Sequence, residues 1–285
     1  MNSRRDHWRP KTPRGPGWYT GVIVSSVASS VQFVLNTDWV WLLVSMATLY
    51  LLGVVRVGIQ DWPAARTTYF LGGVASLFVA FVSPLDNYDV VSLLAHMTQH
   101  LILIFVAAPL LAFGAPVDLL LKAAPRPVRA AARTLLGSKT VRTITNPPVA
   151  WSLFLVAVVA THVPTFYNDA LTEDLTHNLE HGLYLIGGFL FWCQIAGTAP
   201  ASGRMTPSGR MLYLGLAVLV LLAIGMPVLL DRDAIYSYYA TLPRPWGGRA
   251  ALLAQHRAAL IFFTAAIGVV AVFDRAHRRS LQEGP

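Results

Sequence analysis

Seven stretches of this chain are apolar over roughly the 17 to 25 residues that a bilayer-spanning helix requires, and few folds can accommodate that pattern. They run about Trp39 to Gly58, Thr67 to Val82, Leu93 to Gly114, Pro148 to Val163, Leu175 to Thr198, Met211 to Leu230 and Ala251 to Phe273. In hydrocarbon every backbone N–H and C=O must find its partner inside the protein, so such stretches become helices. The expected fold is therefore all-α, a polytopic transmembrane helix bundle of seven spans. The segment Tyr19 to Leu35 is either an eighth span or an interfacial helix, because Ser25, Ser29, Gln32 and Asn36 make a polar stripe at helical spacing. The second and fourth stretches are short for a span.

Only 13% of the 285 residues are charged, against about 25% in an average soluble domain. The net charge of +8 does not mark a nucleic-acid binder, since the basic residues lie in two tails and a central loop instead of along one face. Cys193 is the single cysteine, which excludes an internal disulfide and any multi-cysteine metal site within the chain. The organisation expected is a basic N-terminal region over 1–38, one membrane domain over 39–273 and a C-terminal tail over 274–285.

Loop charge orients the bundle. Lys122, Arg126, Arg129, Arg133, Lys139 and Arg142 follow the third stretch with only Asp118 nearby, so the positive-inside rule places that loop in the cytoplasm. Arg56 and Arg66, Arg204 and Arg210, and then Arg275, Arg278 and Arg279 fall on the same side, giving a multi-pass protein with a cytoplasmic C-terminus. The acidic connections, with Asp86, Asp89, Asp169, Glu173 and Asp174, fall outside. So does the segment Asp231 to Arg249, whose Tyr236, Tyr238, Tyr239 and Trp246 read most simply as an interfacial aromatic belt.

On that topology six of the eight histidines share one outer layer. His96 and His100 stand at i and i+4 in the third span, on one face and about one turn apart. His177 and His181 repeat the spacing at the outer start of the fifth. His162 ends the fourth span and His256 lies about one turn into the last. Imidazole is costly in a bilayer and is also the commonest metal ligand, so two pairs at one depth point to a metal. Met97 and Met226 lie near the same level, and thioether with imidazole suits copper, particularly Cu(I), whereas imidazole alone also suits zinc or iron. A lone interfacial histidine is more often an anchor than a ligand. The primary metal candidates are thus His96, His100, His177 and His181, with His162, His256 and Met97 secondary. Two rivals stay open: a haem held by axial imidazoles from facing helices, and a metal-free scaffold. No nucleophile elbow, phosphate-binding glycine loop or His-Glu-x-x-His occurs, so no enzyme is expected.

The sequence Ser83-Pro84-Leu85-Asp86, then Ser92, His96-Met97-x-Gln99-His100 and Ala108-Pro109-Leu110-Leu111-x-x-Gly114-Ala115-Pro116, resembles the caa3-type cytochrome c oxidase assembly factor family, called CtaG. The likeness continues through His177, Glu180-His181, Gly188 to Trp192 and Tyr236 to Ala240. It implies a bacterial inner membrane protein whose partners are haem–copper oxidase subunits and whose role is oxidase assembly, with copper delivery the usual proposal. The last span departs from the pattern. Where an Asp-Gln pair is expected before Ala-Gly, this chain has Ala254-Gln255-His256-Arg257-Ala258-Ala259.

Overall fold

The apolar stretches do fold as helices, and the groups they turn outward are those a bilayer accepts. The computed structural model describes residues 21–24, 33–199, 205–242 and 247–282, with side chains over 37–199, 205–242, 247–269 and 271. The chain enters through two short antiparallel strands, β1 (Gly21–Val24) and β2 (Phe33–Asn36), paired Gly21 to Asn36 and Val24 to Phe33. This corrects the helix expected over Tyr19 to Leu35, at least at its described ends. The β-branched Val22, Ile23, Val24 and Val34 favour extended backbone, and the polar stripe residues Ser25, Ser29 and Gln32 lie outside the described residues, as do Arg204 and Trp246.

Helices α1 (Thr37–Val57) and α2 (Ala64–Val82) come next and pack together. After the short α3 (Leu85–Tyr88), a continuous helical path begins with α4 (Leu93–Ile102). It widens to a π-helical turn over Leu103–Ala107 and returns to α-helix in α5 (Ala108–Phe113). Pro109 explains the widening, since it has no N–H for the carbonyl four residues back and its ring crowds that carbonyl. The indole of Trp192 donates to the Ile104 carbonyl within the turn at 2.8 Å. Gly114 lets this path approach α2 closely: a Cβ there would lie 2.7 Å from Cβ of Phe70 and 3.0 Å from its Cα. Ala115, in the left-handed region at φ 48°, then turns the chain into α6 (Pro116–Ala123).

The basic segment expected as a loop is itself helical, as α7 (Arg126–Leu136) and α8 (Lys139–Ile144). Helix α9 (Pro147–Thr161) meets α10 (Pro164–Thr172) at a 76° bend around His162, whose Nδ1 donates to the Val158 carbonyl at 2.8 Å. Helix α11 (Asp174–Ala196) passes between α5 and α9, and α12 (Pro207–Leu230) packs on the long α14 (Arg249–Gln282). The Asp231 to Arg249 connection contains α13 (Ser237–Ala240).

Among the described residues five helices are long and apolar enough to cross a membrane, and the bent α9–α10 pair makes a sixth if it is one span. The expected seven are therefore not all matched. Helix α11 falls short on composition, not length: its His177, Glu180, His181 and Gln194 lower the mean hydropathy, yet all four are buried against protein. Polar groups inside and Trp41, Leu49, Leu52 and Leu219 exposed invert the soluble pattern, as expected when the solvent is lipid. The chain is a multi-pass membrane protein.

Candidate metal centre

The two histidine pairs meet. Because residues four apart share a helix face, α4 turns His96 and His100 toward α11, which returns His177 and His181. The ring centroids lie 4.2 Å apart for His96 and His100, 4.3 Å for His177 and His181, 5.3 Å for His96 and His177, and 5.4 Å for His100 and His181. All four residues are buried, His96 completely. The Nε2 atoms of His177 and His181 stand 3.1 Å apart, close enough to share one proton.

Two carboxylates complete the cluster. Glu180, three residues after His177 and so on the same face of α11, places Oε2 3.5 Å from His96 Nε2 and 3.7 Å from His100 Nε2. Asp89, in the connection between α3 and α4, places Oδ2 3.3 Å from His177 Nε2. Neither carboxylate is solvent-exposed. The donors form two sets, each with its ligand atoms within 4.8 Å of one another: His96, His100 and Glu180, and Asp89, His96 and His177. Sequence reasoning missed both acids as ligands. The Glu180 signal was available in its spacing, whereas Asp89 carries no periodic mark.

A cation fits the chemistry of this donor set. Among the described residues neither ring nitrogen of His100 has a hydrogen-bond partner, and neither does Oε2 of Glu180. Unsatisfied buried polar groups cost about 1–3 kcal/mol each, and an ion coordinated by imidazole and carboxylate would satisfy them. Around the cluster the polar contacts fix orientation. Tyr184 OH contacts Thr161 Oγ1 and donates to Glu180 Oε1 at 3.4 Å. Gln99 donates from Nε2 to the Ala80 carbonyl at 2.8 Å and to Asp86 Oδ1 at 3.0 Å, which ties α4 to α2 and α3.

The secondary candidates stand apart from both donor sets. His162 is half-buried beside Tyr184, whose hydroxyl lies 3.4 Å from its Nδ1. His256 binds the Asp231 carbonyl through Nε2 at 3.0 Å. Met97 packs into the apolar core, one residue from His96 and so on a different face of α4, and Met226 is exposed.

In the aromatic segment after α12, two of the expected belt residues turn inward. Tyr236 and Tyr239 are buried. Tyr236 stacks on Tyr167 at 3.9 Å, Tyr167 lies 5.0 Å from the His96 ring, and Tyr239 OH donates to the Asp89 carbonyl at 2.6 Å. Burial pushes the Tyr236 and Tyr239 phenols up from their ordinary range, so both remain protonated. Gln255 of α14 holds the same segment, accepting from Ile235 N at 2.9 Å and donating to the Asp233 carbonyl at 3.3 Å. A lid of tyrosines thus closes one end of the cluster.

Residues 48–274 match the cytochrome c oxidase caa3 assembly factor family. The chain belongs to this family. Uncharacterized proteins of Mycobacterium bovis and Mycobacterium tuberculosis are each 24% identical over 195 residues, covering 66% of this chain and 30% of their own length. One from Mycobacterium leprae is 24% identical over 208 residues, covering 69% of this chain and 31% of its own. The chain thus spans under a third of the length of these relatives. No solved structure matches it.

Proposed function

We infer that this protein binds copper in the buried histidine–carboxylate cluster and hands it to a nascent haem–copper oxidase at the outer face of the bacterial inner membrane. The observation that carries this reading is the convergence of four Nε2 atoms and two carboxylates from α4, α11 and the α3–α4 connection. His96, His100, His177 and His181 are the main ligands, joined by Glu180 and Asp89. Copper is cargo, so the protein acts as a metallochaperone and not as an enzyme. Loading and release proceed by ligand exchange, and the buried site requires the Tyr236–Tyr239 lid to move each time.

A haem suits the packing less well. The imidazole centroids lie 4.2–6.4 Å apart, and the buried Asp89 and Glu180 carboxylates lie among them, a donor set that suits an ion better than an apolar macrocycle.

Delivery is tested in cells. A strain carrying His96→Ala with His181→Ala should assemble little active oxidase, and excess copper in the medium should restore it. Normal assembly in unsupplemented medium would overturn delivery through this site. Ligation also requires neutral imidazoles, so proton competition weakens binding in acid and leaves it intact above neutrality. Equilibrium dialysis across pH 5 to 8 checks this; a flat profile would contradict imidazole ligation.

A further inference from the structure

We propose that α7 and α8 form an in-plane surface that binds anionic phospholipids of the cytoplasmic leaflet, a site separate from the histidine cluster and independent of any metal. The two helices lie at the far end of the bundle from that cluster. Gln194 donates from Nε2 to the Thr145 carbonyl, just past α8, at 2.9 Å, and it stands about 20 Å along α11 from His181 at ~1.5 Å per residue. Helix α7 packs on α6, where the Leu93–Ala123 path ends, and α8 packs on α9, where the next apolar helix begins. The pair therefore runs along the membrane surface between two spans. Arg129 fixes its entry, donating from Nη2 to the Lys122 and Ala124 carbonyls at 3.2 and 3.0 Å.

Each helix divides into an apolar and a basic side. Val128, Ala131, Ala132, Leu135 and Leu136 recur at i, i+3, i+4, i+7 and i+8, the spacing of one face, and Arg126, Arg129 and Arg133 take another. On α8, Val141 and Ile144 oppose Lys139 and Arg142 in the same way. Protein does not cover the apolar side: Val128 is 49% and Leu135 64% exposed, and neither helix buries a residue. Charge names the occupant. No Asp or Glu occurs between Asp118 and Asp169, and Asp118 itself pairs with Arg66 at 3.2 Å. A helix whose apolar stripe is bordered by Arg and Lys lies at the headgroup level with the stripe at the acyl boundary. Each basic residue held at an anionic surface strengthens that attachment roughly fivefold. A nucleic acid would answer the charge but leave the apolar stripe in water.

Tryptic cleavage of the full chain in nanodiscs tests this, with discs of phosphatidylcholine alone or with about one third phosphatidylglycerol. Cleavage after Arg133 and Lys139 should slow at least about tenfold in the anionic discs, and inorganic phosphate added to phosphatidylcholine discs should not reproduce the protection. Val128→Asp with Leu135→Asp, which leaves both cleavage sites in place, should abolish the difference between the discs. Equal cleavage of the wild type in the two discs overturns the proposal, whether the surface then meets an acidic protein segment or nothing. Equal protection by inorganic phosphate assigns the basic side to a soluble anion and overturns the lipid. A difference that survives in the double variant overturns the part given to the apolar side. If that variant fails to insert, the wild-type discs and the phosphate control still decide.

Discussion

His96→Ala is expected to cost the protein more copper affinity than any other single substitution. His96 is the one residue that belongs to both donor sets, so its loss weakens every ion position in the cluster. Loss of an outer-shell partner alone typically costs about 10- to 100-fold in metal affinity, and removal of a ligand shared by both sets should exceed the upper end of that range. His256→Ala, which removes a side chain that stands outside both donor sets and holds the Asp231 carbonyl through Nε2 at 3.0 Å, should leave affinity within about threefold of wild type. Competition titrations on both variants, with circular dichroism to confirm helix content, make the comparison. Equal losses in the two would remove His96 from the site.

Tyr236→Ala should act on rate instead of affinity for the ligands themselves. The Tyr236 ring is buried and stacked on Tyr167, which in turn covers His96. Truncating a buried aromatic ring to Ala costs about 3–5 kcal/mol, and here that loss falls on the segment closing the site. At about 1.4 kcal/mol per factor of ten, an open state should become on the order of 100- to 4000-fold more populated. Copper release to a chelator, followed by stopped flow, should accelerate accordingly, and thermal stability in detergent should fall. Tyr239→Phe removes only the hydrogen bond to the Asp89 carbonyl, worth about 1 kcal/mol, so its acceleration should be near tenfold or less. Unchanged release in Tyr236→Ala would mean that copper leaves by another path.

The parts of the fold that lipid dictates were readable from the sequence. A bilayer imposes length and apolarity, so α1, α2, α12 and the path from α4 through α5 fall close to their expected places, while α6 extends the helical path into what was expected as loop. Helix α11 shows where the same reasoning misjudges a segment. Its outer half is polar because protein, not lipid, surrounds it, and hydropathy alone cannot register who the neighbours are. The i, i+4 spacing correctly brought His96, His100, His177 and His181 onto facing surfaces. Glu180 sits on the same face, three residues after His177, and that spacing alone could have marked it. Asp89 was out of reach for a different reason. Its burial depends on Tyr239, 150 residues away in sequence, and no local pattern encodes such a contact. The tyrosine lid has the same origin: interfacial aromatics and buried aromatics look alike until the chain is folded. At the N-terminus, polar spacing suggested a helix where β-branched residues instead pair as strands.

The most direct test is copper and haem content measured on one purified sample of the wild-type protein, together with His96→Ala prepared in the same way. Copper is expected in the wild type, its loss in the variant, and no Soret band in either. A wild-type sample free of copper after loading, or a strong Soret band, would contradict that expectation.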